Sequence, residues 1–244
     1  MRDVSLHDRF PPTRWSTIRA SAEPDAVTRK QGFSRLVSAY WRPIYIYLRL
    51  RHHCTDSDAH DLTQSFFAQC WEQNTLASFD PTRARFRTFV RTCVDRHVID
   101  QHRSERAQKR GGDWDHVPID MAQLERDTAL IDPSLSSDPE RLFEVEWVRS
   151  LLLQALVDLR ASYTSQSREL DLALFEEYEL ASAERPGYAE LAVRHGVPVT
   201  TVTNRLAAVR RALRAHLAEC LRDLTATEEE YRDESYRIFG VRPK

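Results

Sequence analysis

The chain has 244 residues, 41% of them hydrophobic and 30% charged, with a formal net charge of −2. That length accommodates one large or two small domains with a heavily charged surface, and only 6 Gly and 11 Pro argue against an all-β or collagenous chain. The net charge taken alone disfavours nucleic acid, but positive charge gathers in 83–110 and 185–214 and negative charge in 120–146, 169–184 and 219–234, and a polyanion responds to local fields rather than to the total.

Cys54, Cys70, Cys93 and Cys220 form neither a CxxC pair nor a disulfide framework, which reads as reduced thiols in a cytoplasmic protein. No apolar run is long enough to span a bilayer, and the first residues lack the apolar core of a signal peptide. The expectation is a soluble, cytoplasmic protein with no membrane partner.

Residues 1–12 read as an irregular arm ending in Pro11-Pro12, and Thr13 as the cap of a short helix carrying Trp15 and Ile18. Phe33, Leu36, Val37 and Tyr40 have helical spacing, continued by Ile44, Tyr45 and Leu48 after Pro43, which is expected to kink or restart the helix. Asp56 or Ser57 is the expected cap of a helix with Leu62, Phe66, Phe67, Cys70 and Trp71 on its apolar face. After Asp80-Pro81, the residues Phe86, Phe89, Val90, Cys93, Val94, His97 and Val98 repeat at i, i+3, i+4, i+7 and i+8, the pattern of a buried helix face. Residues 13–112 therefore form a first helical domain, ending at Gly111-Gly112.

Residues 113–138, with Pro118, Pro133 and a Ser run, read as a linker holding at most one short helix near 121–130. Asp138 then caps a helix with Pro139 in its first position and Leu142, Val145, Val148, Leu152, Leu156 and Leu159 along it. A second helix, 170–180, carries Leu174 and Phe175, and Arg185-Pro186-Gly187 turns the chain. Residues 139–222 form a second domain, and 223–244 an acidic tail: either a disordered end, or a segment whose aromatics dock on a domain and mask a basic face. No strand alternation occurs anywhere, so the predicted class is all-α, two helical domains joined by a linker.

Within the second domain, residues 188–206 read as a helix-turn-helix. Ala192 allows close helix approach, Gly196 supplies a left-handed turn residue, and Val202, Leu206, Val209 and Leu213 make an inward stripe. Thr200, Asn204 and Arg211 lie opposite that stripe, with Thr201 and Thr203 beside them. Asn pairs bidentately with adenine, and Arg reaches guanine or phosphate. Arg205, Arg210 and Arg214 sit on the flanks, where phosphates lie. A helical hairpin with a solvated arginine face would produce the same pattern.

The second basic element is 83–110, with Arg83, Arg85, Arg87, Arg91, Arg96 and Arg103 set around the apolar stripe. Phosphate neutralisation with counterion release is the natural use of such a face, and a solvated helix the plain alternative. The helix opening Asp56-Ser57-Asp58-Ala59-His60-Asp61 differs: its acids suit a helix N-terminus or a basic protein partner. His52, His53, Cys54 and His60 fit no common zinc spacing, and no GxSxG, phosphate-cradling loop or HExxH is present. No cofactor, metal or catalytic residue is expected, and the chain does not read as an enzyme.

Acidic helix, basic Phe-Arg helix, linker and helix-turn-helix, in that order, resemble the sigma-70 family, specifically the extracytoplasmic-function (ECF) sigma factors, over residues 13–220. Asp58-Ala59-His60-Asp61-Leu62-Thr63-Gln64 is similar to the family's Asp-Ala-Glu-Asp-Leu-Val-Gln segment, which docks on the clamp helices of the large polymerase subunit. The resemblance implies that Asp58, Asp61, Leu62, Gln64 and Ser65 contact core RNA polymerase. It implies that Arg83, Arg85, Arg87, Phe89, Arg91, Arg96 and Arg103 open and read the −10 element. Thr200, Thr201, Thr203, Asn204, Arg205, Arg210, Arg211 and Arg214 would read the −35 element. The implied function is a bacterial sigma factor that binds core polymerase and directs transcription from promoter DNA. The competing readings are a polymerase-independent helix-turn-helix regulator using the second domain alone, and a decoy that binds polymerase without starting transcription.

Five departures stand out. Ser65 occupies a position usually Glu, Phe89 the usual Trp, Arg96 an Asn that helps hold a flipped promoter base, and Thr203 and Ala208 positions that are often basic. The −10 sequence preference therefore does not carry over, and −35 phosphate contacts are expected to be weak. Phosphorylation of Ser65 or Thr63 would restore negative charge to the polymerase-binding face, which makes a Ser/Thr kinase, beside an anti-sigma factor, a candidate regulatory partner.

Overall fold

The computed structural model describes Ile18, residues 25–105, 138–181 and 185–240. The expected N-terminal arm, the Thr13 helix apart from the buried Ile18, and nearly all of the linker lie outside the described residues. Every regular element among the described residues is helical, as the class prediction requires. Two compact units form: Met1–Ser150 together with Leu221–Lys244, and Leu151–Cys220.

The first helix, α1, spans Ala26–Arg51, with the Asp25 carboxylate accepting from the Thr28 N–H at 2.8 Å. It runs through Pro43 as one continuous helix, so of the expected kink or restart the restart does not occur. A mid-helix proline costs about 3 kcal/mol, but Tyr40, Trp41, Ile44, Tyr45, Ile46, Tyr47 and Leu48 around it are all buried, each worth roughly 1.5–3 kcal/mol. Burial on every side of this stretch outweighs one lost hydrogen bond.

Helix α2 (Asp56–Gln73) is capped by Thr55 rather than by Asp56 or Ser57. Thr55 Oγ1 accepts from the Asp58 N–H at 3.2 Å and donates to the Asp58 carboxylate at 2.7 Å, satisfying one orphan donor of the first turn. The helix ends at Asn74 in the left-handed region (φ 50°), and a 3₁₀ turn, Thr75–Ser78, leads on. Helix α3 (Phe86–Glu105) buries Phe86, Val90, Cys93, Val94 and Val98.

Helix α4 (Pro139–Ser165) begins at the expected cap, where the Asp138 carboxylate accepts from the Arg141 N–H at 3.0 Å. Its first half contributes Phe143 and Trp147 to a cluster around Tyr40, with ring centroids 6.3 and 6.5 Å from the tyrosine and Phe86 at 5.8 Å. The Arg42 guanidinium and the Glu146 carboxylate pair beside it, both buried.

The segment read as an acidic tail folds. Thr227 caps α8 (Glu228–Phe239), accepting from the Glu230 N–H at 3.1 Å, while the Glu230 carboxylate reaches back to the Ala226 N–H at 2.8 Å. This is a capping box shifted one residue toward the N-terminus. Glu230, Tyr231, Glu234 and Ser235 are buried, and the segment belongs with the first unit.

The second unit holds the rest of α4, α5 (Glu169–Glu179), α6 (Tyr188–His195) and most of α7 (Val199–Asp223). Its core gathers Leu156, Leu159, Leu174, Phe175, Leu191 and Val202. Gly196, at φ +64°, terminates α6 and its N–H reaches back toward Ala192 and Val193, so the turn chemistry of the expected helix-turn-helix is present. The inward stripe is also present: Val202, Leu206 and Val209 are fully buried, and Leu213 packs partly against them.

Candidate nucleic-acid interface

At 100° per residue, the basic residues of α3 separate onto two faces. Arg87 and Arg91 project on one side, and Phe89, Arg96 and Arg103 on the other. The first side is covered. Arg87 Nη1 and Nη2 meet Glu234 Oε2 and Oε1 at 2.8 and 2.9 Å, with both side chains almost wholly buried (6% and 3% exposed). The arginine lies over the Trp147 ring, 4.4 Å from its centroid. Burial opposes its charge, but the hydrogen bonds and charge of Glu234 prevail and hold its pKa above the usual arginine value. Arg85, just before the helix, donates to Glu234 at 2.6 Å and to Asp233 at 3.2 Å. Arg91 pairs with Glu140 at 3.1 Å.

The second side is open. Arg96 and Arg103 are exposed, the latter with Asp100 3.8 Å away. Phe89 is half-buried at the edge of an aromatic group, 5.3 Å from Phe79 and 6.2 Å from Phe86. Arg83 is 85% exposed beside Asp80. Of the −10 candidates, therefore, Arg83, Phe89, Arg96 and Arg103 present themselves to solvent, whereas Arg85, Arg87 and Arg91 are held by acids. Phe79, in the loop before α3, carries no signal of its own in the sequence, where an aromatic next to Asp80-Pro81 reads as a helix end.

On α2, Asp58 and Asp61 are exposed and Leu62, Gln64 and Ser65 half-buried. The Ser65 hydroxyl lies 2.8 Å from His97 Nε2 and 3.2 Å from the Leu62 carbonyl, and His97 Nδ1 lies 2.5 Å from Gln69 Oε1. With Nδ1–H donating to Gln69, Nε2 is left to accept from Ser65, the neutral tautomer. Burial lowers the His97 pKa to about 4, against the pull of Asp100. A base so weak is badly matched to neutral pH, so the Ser-His-Gln chain links α2 to α3. Thr63, the other phosphorylation candidate, is fully buried and donates to the Ala59 carbonyl at 2.6 Å, which removes it from the reach of a kinase in the folded protein.

In the second unit, Thr200, Thr203, Asn204, Arg211 and Arg214 are exposed and fall within about a third of the α7 circumference. The Thr203 hydroxyl is spent on the Val199 carbonyl at 3.1 Å. Thr201 is half-buried. Two of the three flanking arginines are pinned to α5. Arg205 donates to Asp171 at 2.5 Å, and that buried carboxylate also takes Arg168 at 2.7 Å. Arg210 donates to Glu179 at 2.7 Å and lies over Tyr178, 5.5 Å from the ring centroid.

Among the described residues, no cluster of three or more His, Cys, Asp or Glu could hold a metal ion, and no helix is long and apolar enough to cross a membrane. The model of the family described as ECF sigma factor matches residues 18–219. The chain belongs to the ECF sigma factor family. That match runs through α2, α3 and the helix-turn-helix, so the acidic helix and both basic helices lie inside the family span, whereas α8 lies beyond it. No curated protein and no solved structure matches the chain significantly.

Proposed function

We propose that this ECF sigma factor binds core RNA polymerase through the α2 face carrying Asp58, Asp61, Leu62, Gln64 and Ser65, and directs initiation by contacting promoter DNA with α3 and α7. The observation that supports this reading is an exposed basic edge on one helix of each unit, both within a single family match. On α3, Phe89 offers a stacking surface and Arg83, Arg96 and Arg103 offer phosphate contacts to single-stranded DNA around the −10 element. On α7, Asn204 and Arg211 suit base edges, Thr200 suits either base or phosphate, and Arg214 suits phosphate. Each edge alone is small. Polymerase would hold both on one promoter and raise the effective concentration of the second contact once the first is made.

Transcription of genomic fragments by core polymerase, with and without the purified chain, tests this reading. New promoter-specific transcripts are expected, and they should be lost when Arg96 and Arg103 are both changed to Ala. Tight, polymerase-independent binding to a palindrome, with no new transcript, would favour a free helix-turn-helix regulator instead.

A further inference from the structure

Helix α8 bears acid in its first turn at Glu228, Glu229 and Glu230; the Glu230 carboxylate accepts from the Phe86 backbone N–H at the start of α3, but the carboxylates that pair with arginines there are Asp233 and Glu234 on the next turn. They meet arginines in the geometry a DNA backbone phosphate would use. Glu234 offers two oxygens to the Arg87 fork at 2.8 and 2.9 Å and takes a third contact from Arg85 at 2.6 Å. Asp233 takes the other Arg85 nitrogen at 3.2 Å. Two-pronged guanidinium recognition is common to carboxylates and phosphates. A carboxylate seated there excludes a phosphate from the same nitrogens.

The two arginines are not held alike. The Arg87–Glu234 pair is almost dry, whereas the Arg85 and Asp233 side chains remain 34% and 48% exposed. The cover thus has a wet edge at Arg85, next to exposed Arg83, where a strand could enter first. Arg237, on the last turn of α8, lies 3.7 Å from Glu144 and 4.0 Å from Glu234, so the cover is tied to α4 as well as to α3. The family match ends at residue 219, so the cover is an addition to the matched span.

We propose that α8 is an intramolecular competitor of promoter DNA: Asp233 and Glu234 occupy Arg85 and Arg87 in place of backbone phosphates, and those arginines reach DNA only when α8 leaves α3. This inference rests on the reading of α3 as the −10 contact. The partner excluded is the DNA sugar-phosphate backbone, and the exchange is one anion for another with no covalent step.

The test uses the full chain bound to core polymerase and a fork-junction DNA with an unpaired −10 strand, titrated at several salt concentrations. Replacing the acids by D233N and E234Q together should tighten binding about threefold or more at moderate salt and steepen the log K against log salt slope by about 1 to 2, one phosphate contact per released arginine. D233N alone, at the exposed edge, should give the smaller half of that change. Unchanged affinity and slope, with helical content retained, would overturn the proposal and leave α8 a purely structural strap. If the double variant fails to fold, hydrogen exchange on the unaltered chain decides: amides of α8 should lose protection when the fork DNA is added to the holoenzyme, and constant protection would overturn it. Failure of the wild-type holoenzyme to bind the fork at all would instead refute the sigma reading beneath it.

Discussion

The two basic helices look alike in sequence and differ in what surrounds them. On α7 the proposed reading edge is open, with Thr200, Asn204, Arg211 and Arg214 exposed, and only the flanking Arg205 and Arg210 are tied to α5. On α3 one whole face is roofed by carboxylates from Asp233, Glu234 and Glu140, and the opposite edge alone is open to solvent. A run of arginines therefore says how much positive charge a helix carries, not how much of it is free. What decides is the acid that the rest of the chain brings to it: Asp171 and Glu179 from a neighbouring helix in one case, and in the other Glu140 from α4 with Asp233 and Glu234 from a segment more than a hundred residues away.

The largest expected effect comes from breaking the covered face. Arg87→Ala leaves Glu234 buried without its two-pronged partner, and should destabilise the first unit by about 3–5 kcal/mol, read as a shift in urea midpoint. A loss under about 1 kcal/mol would mean that the roof over α3 is a loose contact, and the contrast with α7 would shrink accordingly.

A smaller effect, also confined to the first unit, follows from His97. Its pKa is near 6.5 in the unfolded chain and about 4 when folded, so the folded state requires the neutral ring. The stability this contributes is complete above about pH 6.5 and is lost as the pH falls toward 4, roughly 3 kcal/mol in all. Carboxylates titrate in the same window, so the informative quantity is a difference. His97→Gln should lose less stability between pH 7 and 4.5 than the unaltered chain does. Equal losses would mean that burial does not lower the His97 pKa in the fold.

The smallest effect on stability, and the sharpest on function, belongs to the open helix. Arg211→Ala should change folding stability by no more than about 0.5 kcal/mol. It should weaken promoter binding by holoenzyme, and the drop should depend on the −35 sequence if Arg211 meets a base and lower the salt slope by about 1 if it meets a phosphate. Unchanged binding would move the reading edge toward Thr200 and Asn204.

Much of the fold was legible because it rests on local patterns. Helical periodicity, the Asp138-Pro139 start and the left-handed Gly196 each act within a turn or two of chain, and each stands where the sequence placed it. A restart at Pro43 does not occur because the local cost of one hydrogen bond is outweighed by the burial around it, which is a tertiary quantity. Thr55, Asp56 and Ser57 offer equivalent caps in sequence, and only backbone geometry selects Thr55. The site was less legible for the same reason. Composition marked Arg83 through Arg103 as basic, yet nothing near them in sequence reveals that Arg87 is buried under Glu234. The tail was read as acid and aromatics, and the aromatic half of that reading fits only in part: Tyr231 is buried with Arg222 over its ring at 4.0 Å, whereas Tyr236 stays largely exposed. Its carboxylates make the contact with α3.

The pairing of Arg87 with Glu234 spans 147 residues of chain. A ribosome releases the first of these long before the second, so the N-terminal unit emerges with its tyrosine–tryptophan cluster and a bare arginine awaiting a helix still to be synthesised. Closing so long a loop is entropically slow compared with forming the local helices. The Leu151–Cys220 unit, whose chain is continuous, is free to fold in the interval. The unit that begins first in translation is thus completed last, and a chain cut short before residue 234 would carry a finished helix-turn-helix beside an unfinished partner.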